Sequence, residues 1–231
     1  MFLVRRAGRN SPGPRPRGQS VRAQKRPCVH AFDIQNQGVQ ILSFPEEAAP
    51  SELRVQVREI QEQAWPTERA SDASADALNH DPSLRPLSMV LVDEGVVLAT
   101  LDILFKDIVH AGARHAAAGL SAVVTRREAR GHGHGRRLVT AARETMIERK
   151  VDLGLFTCDR PLQAFYEDAG WRVLPGAVLI GGTPQEPFPS DQPGFDKVTM
   201  GDFFSPESRR ARTSFHGSRI ELYPGKIDKL W

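Results

Sequence analysis

Residues 127–139, REARGHGHGRRLV, place three glycines at alternate positions between two histidines and several arginines. Such residues could hold a metal ion, form a nucleic-acid-binding arm, or bind a phosphate through the backbone. His132 and His134 are too few for a tight zinc site, which takes three or four nitrogen or sulfur ligands. An arginine- and glycine-rich arm would need repetition and aromatic side chains for base stacking, and the stretch has neither. We therefore predict that this stretch binds neither a metal ion nor a nucleic acid.

The phosphate interpretation fits the surrounding sequence. An apolar segment ending at Val124 precedes the glycines, and apolar residues at helical spacing follow from Leu138 to Ile147. Successive glycines allow several backbone N–H groups to converge, and a helix N-terminus adds roughly half a positive charge. The Gly-Lys-Ser/Thr of a nucleotide P-loop is missing, and a dinucleotide fold would place its glycines after the first strand. The stretch is predicted to bind a pyrophosphate.

The residues before the glycines predict a helix and an antiparallel meander. Residues 51–64 repeat apolar side chains on one helical face, and Pro66 ends the run. After a polar stretch, strands are expected at 89–92, 96–105 and 108–110 and in a long segment that ends at Val124. Tight turns at 93–95 and 111–112 join them into three consecutive strands.

The residues after the glycines predict a parallel unit. A helix over 136–150 is followed by an apolar strand at 151–158, so the order strand, helix, strand indicates a β-α-β crossover. A short helix between Pro161 and Gly170 follows, and further strands are expected at 171–173, 177–182 and 197–200. The predicted class is α+β, with a mixed central sheet flanked by helices.

Charge divides the chain into a basic tail and an acidic body. Of 31 Lys and Arg residues, eight lie in residues 1–26, which contain no Asp or Glu. The remaining 23 stand against all 28 acids, so the body has a net charge of −5 and favours cationic partners. Residues 1–44 are predicted to be a disordered basic tail, and residues 45–231 the folded domain. A solvated tail, a misassigned start and a weak nucleic-acid contact all remain open for its role.

The motif Arg130-x-x-Gly133-x-Gly135, between a strand and a helix and after a meander, resembles that of the GCN5-related N-acetyltransferases (GNAT). In that family the pattern R/Q-x-x-G-x-G/A grips the pyrophosphate of acetyl-coenzyme A. The resemblance extends over residues 51–200 and implies the GNAT fold, acetyl-CoA as co-substrate and no metal. The residues it implies for coenzyme binding are Val123, Val124, Thr125, Arg130, Gly131, His132, Gly133, His134, Gly135 and Arg136.

A narrower resemblance is to the aminoglycoside 2′-N-acetyltransferases. It is carried by LGLFTCDRPLQAFYEDAGW (153–171), the meander of 95–123, SDQPGFDK (190–197) and the final tryptophan. It implies an aminoglycoside-like or polyamine acceptor and a role in antibiotic resistance. Acidic side chains and the chain end are implied to hold such an acceptor, and the matching residues are Asp191, Asp228 and Trp231.

Catalytic roles follow from the same resemblances. Tyr166 matches the general-acid tyrosine that protonates the departing thiolate of the coenzyme. Ser121 matches the glutamate base of the 2′-acetyltransferases, but a serine is no base near neutral pH and can at most hold a water. The acceptor amine would then lose its proton to water, or Asp102 on the neighbouring strand would serve. Cys158 has no evident base beside it and is predicted to be a buried structural thiol.

The sequence therefore predicts an N-acetyltransferase that acts by direct attack of a primary amine in a ternary complex. Two alternatives remain open, namely an acyltransferase for another amine, such as a protein N-terminus or a biosynthetic intermediate, and a CoA-binding regulatory protein. A small-molecule amine is the expected partner, and a homodimer is the oligomer considered. No apolar run approaches the ~18 residues of a membrane span. Two distant cysteines suit a reducing compartment, so a cytoplasmic location is expected.

Overall fold

Four antiparallel strands form the first half of a central sheet. The structure, a computed structural model, describes residues 38–66 and 78–231. The first elements are β1 (Gln40–Pro45), α1 (Ser51–Ala64), β2 (Leu87–Asp93), β3 (Val96–His110) and β4 (Ala113–Thr125). Both hairpins turn through two residues of positive φ, Glu94-Gly95 and Ala111-Gly112, as type I′ turns require. The predicted meander is confirmed, with 96–105 and 108–110 joined in one strand.

The second half of the sheet begins with a parallel crossover. α2 (His134–Glu148) follows the glycine stretch, and β5 (Leu153–Asp159) then pairs with β4 in parallel. This confirms the predicted β-α-β unit. The elements that follow are α3 (Gln163–Asp168), β6 (Arg172–Val173), β7 (Val178–Gly182), β8 (Pro187–Pro189), β9 (Lys197–Phe203), α4 (Pro206–Ala211) and β10 (Arg219–Glu221).

Seven strands form the central sheet in the order β1-β2-β3-β4-β5-β9-β6, and β10-β7-β8 form a second, three-stranded sheet. The sequence predicted β7, but it did not reveal that this strand leaves the central sheet. β8 and β10 span three residues each, which is too short for a periodic pattern to be recognised.

β1 corrects the predicted domain boundary. It pairs with β2 from Gln40 to Pro45, so residues 40–44 belong to the sheet and not to the tail. QILSFP shows no clean alternation because Ile41 packs on the α2 face of the sheet while Leu42 and Phe44 pack on the α1 face. The rest of the predicted tail, residues 1–37, and the acidic stretch 67–77 lie outside the described residues.

Helices cover both faces of the central sheet. Successive residues of β2 point to opposite sides and pack with a different helix on each side. Met89 and Leu91 pack with the apolar face of α2. Val90 and Val92 pack with Leu53 and other apolar residues of α1. Ser88, two residues before Val90, therefore lies on the α1 face of the sheet.

The last ten residues, 222–231, which we call the C-terminal segment, return to the sheet. The amides of Leu222 and Tyr223 donate to Ile180 O at 2.9 and 3.0 Å, and Gly182 N donates to Lys229 O at 2.8 Å. A Cβ on Gly181 would lie 1.7 Å from Lys229 O, so only glycine permits this approach. The segment is fixed by backbone contacts to β7.

Trp231 contacts the central sheet where β4 and β5 stop pairing. A Cβ on Gly119 of β4 would lie 2.5 Å from Trp231 Nε1 and 2.5 Å from Leu155 O of β5. The indole packs against both of the larger apolar clusters of the core. The indole therefore occupies the space beside β4 and β5.

Among the described helices, none is both long enough and apolar enough to cross a lipid bilayer.

We expect Gly181→Ala to lower the free energy of unfolding by about 1–3 kcal/mol, because the added methyl group displaces Lys229. Urea denaturation measures this change. Gly194→Ala is the control. Its Cβ would meet no atom within 4 Å, so any loss of stability comes only from placing an alanine at a φ of 87°. Equal stability of Gly181→Ala and wild type would contradict the docked position of the C-terminal segment.

Candidate active site

The site begins where β4 and β5 separate. They pair only at Ala117↔Leu153 and Ala118↔Gly154, although β4 continues to Thr125. Ala122 has a φ of 49°, and the register with β3 shifts by one residue around it, so a β-bulge bends β4. On the side facing β5, the backbone of residues 119–125 has no strand partner within the described part of the chain. It is available to pair with an extended ligand.

The glycine stretch forms a backbone cradle at the end of this strand. Gly131 and Gly133 have φ values of 82° and 78°, which favour glycine. The hydrogen bond from Arg137 N to Gly133 O opens α2, so the amides of residues 134–136 have no acceptor inside the helix. Free amides at the positive end of the helix dipole form an anion site.

Gly135 places this helix start against the strand. A Cβ there would lie 2.7 Å from Thr125 Oγ1 and 3.4 Å from Phe165 Cζ. A larger residue would push the N-terminus of α2 away from the end of β4.

A cavity of about 810 Å³ joins the cradle to α1 and α3. Its volume lies in the range of about 300–1,000 Å³ typical of cofactor sites. The structure thus brings together all ten residues that the resemblance implied for coenzyme binding. The cavity is lined by Ala64, Trp65, Val123, Val124, Thr125, Ala129, Arg130, Gly131, His132, Gly133, His134, Gly135, Arg136, Leu162, Phe165, Tyr166 and Asp168.

The side chains of the cradle are mostly at its surface. The rings of His132 and His134 stack with centroids 5.9 Å apart, and His132 Nδ1 lies 2.9 Å from Arg130 O. Arg130 donates from Nε to Thr125 O at 3.1 Å, which ties the loop to β4. No group of three or more His, Cys, Asp or Glu side chains in the described ranges is arranged to hold a metal ion.

Tyr166 lies in the cavity wall. Its ring packs edge-on against Phe156 and Phe165, both with centroids 4.9 Å away, and only 6% of the residue is exposed. Burial, together with the nearby Cys158 and Asp159, raises the pKa of the phenol. The hydroxyl is therefore protonated at neutral pH and can donate a proton.

Cys158 is a buried free thiol, as predicted. Burial and the neighbouring Asp159 raise its pKa to about 11. A thiol that stays protonated at neutral pH is a poor nucleophile, so the geometry does not support a covalent role.

Ser121 and Asp102 stand directly opposite each other on β4 and β3, so their side chains share one face of the sheet. Asp102 is 2% exposed and accepts a hydrogen bond from Ser88 Oγ at 2.6 Å. Its other oxygen lies 3.1 Å from His80 Nε2. Both oxygens have polar contacts, so Asp102 belongs to a buried network and is not the free base that the sequence offered as an alternative to water.

His80 is the residue that sequence reasoning missed. A signal was present in Asp102, a charge inside the apolar strand LATLDILF, because a buried carboxylate needs a buried partner. Nothing in the spacing pointed to a histidine in the polar stretch 22 positions earlier.

The three predicted acceptor residues have different surroundings. Trp231 lies at the gap between β4 and β5, and Asp228 is buried with one oxygen on His80 and the other accepting from Asp81 N at 3.0 Å. Asp191 is exposed, pairs with Arg219 at 2.8 Å, and lines a different cavity beside β6, β7 and β9. The structure does not bring Asp191 to Tyr166, because β7 and its loop belong to the second sheet.

A family model described as the acetyltransferase (GNAT) family matches residues 54–171, from α1 to the start of β6. The chain belongs to this family and is an acyltransferase. The matched range contains the whole cavity wall, including the cradle and Tyr166.

Solved structures show the same fold. YhbS, a GNAT family N-acetyltransferase from Escherichia coli in complex with CoA, is 18% identical with a TM-score of 0.53, and the match covers 81% of this chain and 92% of that one. ElaA from Escherichia coli is 14% identical with a TM-score of 0.50, covering 71% and 99%. The predicted α+β fold with a mixed sheet is confirmed. Among curated proteins, none matches the sequence significantly.

We expect Gly133→Asp to weaken coenzyme A binding at least about tenfold, because it adds a carboxylate beside amides that await an anion. Isothermal titration calorimetry measures the affinity. Gly112→Asp is a matched control, since its φ of 79° and open surroundings resemble those of Gly133 but it lies in the β3–β4 hairpin. Undiminished affinity for coenzyme A in Gly133→Asp would contradict the phosphate interpretation.

Proposed function

We propose that the protein transfers the acetyl group of acetyl-CoA to a primary amine by direct attack in a ternary complex. An aminoglycoside-like or polyamine small molecule is the preferred acceptor. One observation carries the proposal: the glycine cradle and the phenol of Tyr166 line the same cavity, at the point where β4 leaves β5.

The described residues fit the coenzyme. The amides at the start of α2 would hold its pyrophosphate, and the unpaired backbone of Val123, Val124 and Thr125 would pair with the amides of its pantetheine arm. Arg130 and Arg136 add positive charge at the same end of the cavity. The CoA found in YhbS supports this choice. When bound, acetyl-CoA supplies an acetyl thioester for the amine to attack.

Tyr166 would supply the proton that the departing thiolate needs. Its phenol is held by Phe156 and Phe165, and its raised pKa keeps the proton in place until negative charge develops on sulfur. This is the general-acid role that the GNAT resemblance implies.

The amine must lose its proton without a side-chain base. Ser121 is not basic, and the oxygens of Asp102 are held by Ser88 and His80. Water therefore takes the proton, and Ser121 can hold one such water. The acceptor reacts as its free amine.

The acceptor class is supported by charge on the α1 face of the sheet. Glu46, Asp102 and Asp228 surround His80 there, and Asp102 is the register partner of Ser121. These carboxylates, in a body whose net charge is −5, favour a polycationic acceptor. Trp231 would form part of the wall of the acceptor site. Asp228 would hold the C-terminal segment in place and not bind the acceptor directly, because its two oxygens already contact His80 Nδ1 and Asp81 N.

We expect Tyr166→Phe to lower kcat by about 10²- to 10⁴-fold, the usual contribution of a general acid, with little change in coenzyme affinity. Thiol release followed with a colorimetric reagent gives the rate, and calorimetry gives the affinity. Cys158→Ala should keep the wild-type rate. An unchanged kcat in Tyr166→Phe would remove Tyr166 from the mechanism.

We expect a screen of amines to show faster CoA release with kanamycin-type sugars and polyamines than with peptides. Because no side-chain base acts, kcat/KM should rise about tenfold per pH unit until the acceptor amine is deprotonated. Release with peptides alone would assign the acceptor to a protein N-terminus. Coenzyme binding without release for any amine would instead indicate a regulatory protein.

A further inference from the structure

His80 lies buried between two carboxylates from distant parts of the chain. Its Nδ1 is 2.5 Å from Asp228 Oδ1, and its Nε2 is 3.1 Å from Asp102 Oδ2. All three side chains are at most 5% exposed. A neutral imidazole has only one N–H, so contact of both nitrogens with carboxylates favours the doubly protonated ring.

The surrounding charges keep this ring protonated. Asp102 faces it from β3, Asp228 faces it from the C-terminal segment, and Glu46 lies nearby after β1. Despite the opposing effect of burial, hydrogen bonds to the two aspartates raise the pKa of His80 from 6.5 to about 10. The imidazolium thus links the sheet to the C-terminal segment at neutral pH.

Each of the two carboxylates lies close to a residue at the gap between β4 and β5. Asp102 is opposite Ser121, which lies on the part of β4 that has no partner strand on its β5 side among the residues that the structure describes. Asp228 precedes Trp231 by three residues, and Trp231 N donates to Asp228 O at 3.3 Å. The Trp231 indole in turn contacts Gly119 and lies at the gap between β4 and β5.

We propose that His80 is a positioning residue for acetyl transfer, which holds the C-terminal segment on β3 so that Trp231 forms the wall of the acceptor site. The inference rests on the proposed function. The coenzyme cradle, built from residues 129–136, shares no residue with this ion-pair network. Loss of His80 should therefore act on the acceptor and not on the coenzyme.

Two isosteric variants separate the two contacts. Gln at position 80 can place its amide near Nε2 and keep the contact with Asp102, whereas Asn can place its amide near Nδ1 and keep that with Asp228. We expect His80→Gln to raise the KM for the acceptor about tenfold and to leave the Kd for coenzyme A within about twofold. His80→Asn should raise the acceptor KM less. His216→Gln is the matched control, since His216 is exposed in the turn before β10 and lies outside the ion-pair network.

A second measurement needs neither acceptor nor turnover. The chain has three tryptophans, so fluorine NMR of protein labelled with 5-fluorotryptophan should give three resonances, with Trp231 assigned through Trp231→Phe. We expect the chemical shift of Trp231 in His80→Gln and in Asp228→Asn to move towards that of a solvent-exposed 5-fluorotryptophan. In the wild type the same movement should occur as the pH rises through about 10, where His80 loses its charge.

The outcomes distinguish this inference from the proposed function. An acceptor KM and a Trp231 resonance that both stay at wild-type values in His80→Gln would overturn it. An equal loss of coenzyme affinity would also overturn it, because His80 would then act on the fold as a whole. If no amine is acetylated, the proposed function fails while the resonance still tests the placement of Trp231. If His80→Gln does not fold, the Trp231 resonance of Asp228→Asn decides.

Discussion

The separation of β4 from β5 after two paired residues is the constraint on which the site depends. A parallel pair that continued would close its hydrogen bonds on itself and leave no room for a ligand strand. The bulge at Ala122 turns β4 aside, and the bare backbone beyond it then leads to the start of α2. Tyr166 and Trp231 are placed by the same gap, one in the wall of the cavity and the other beside Gly119.

The proposed function would have its two substrates recognised by different kinds of chemistry. The cradle uses backbone amides and two glycines of positive φ, so the side chains between them have little influence on it. On the proposed function, the acceptor side would use carboxylates and an indole, whose identity would decide which amine fits. A scaffold of this kind can change acceptor while the coenzyme end stays the same.

Much of the coenzyme side could be predicted from the sequence, because it is local. Arg130 to Gly135 and the helix that follows them are adjacent in the chain, and the meander before them shows alternating and continuous apolar runs. The proposed acceptor side could be predicted only in part, through Asp228 and Trp231, because its parts come from distant positions. Asp191 was misplaced since the sequence gives no sign that β7 leaves the central sheet. His80 was missed since its partners lie 22 and 148 positions away.

The separation of 148 positions between His80 and Asp228 also bears on how the molecule assembles. The β4-α2-β5 unit closes over short stretches of chain, whereas the C-terminal segment must return across most of the domain to reach β3 and β7. Long closures have a higher entropic cost, and contacts of high sequence separation slow folding. We expect the coenzyme half to form early and the acceptor half to be completed last. A newly made chain would then gain its affinity for coenzyme before its selectivity for an amine.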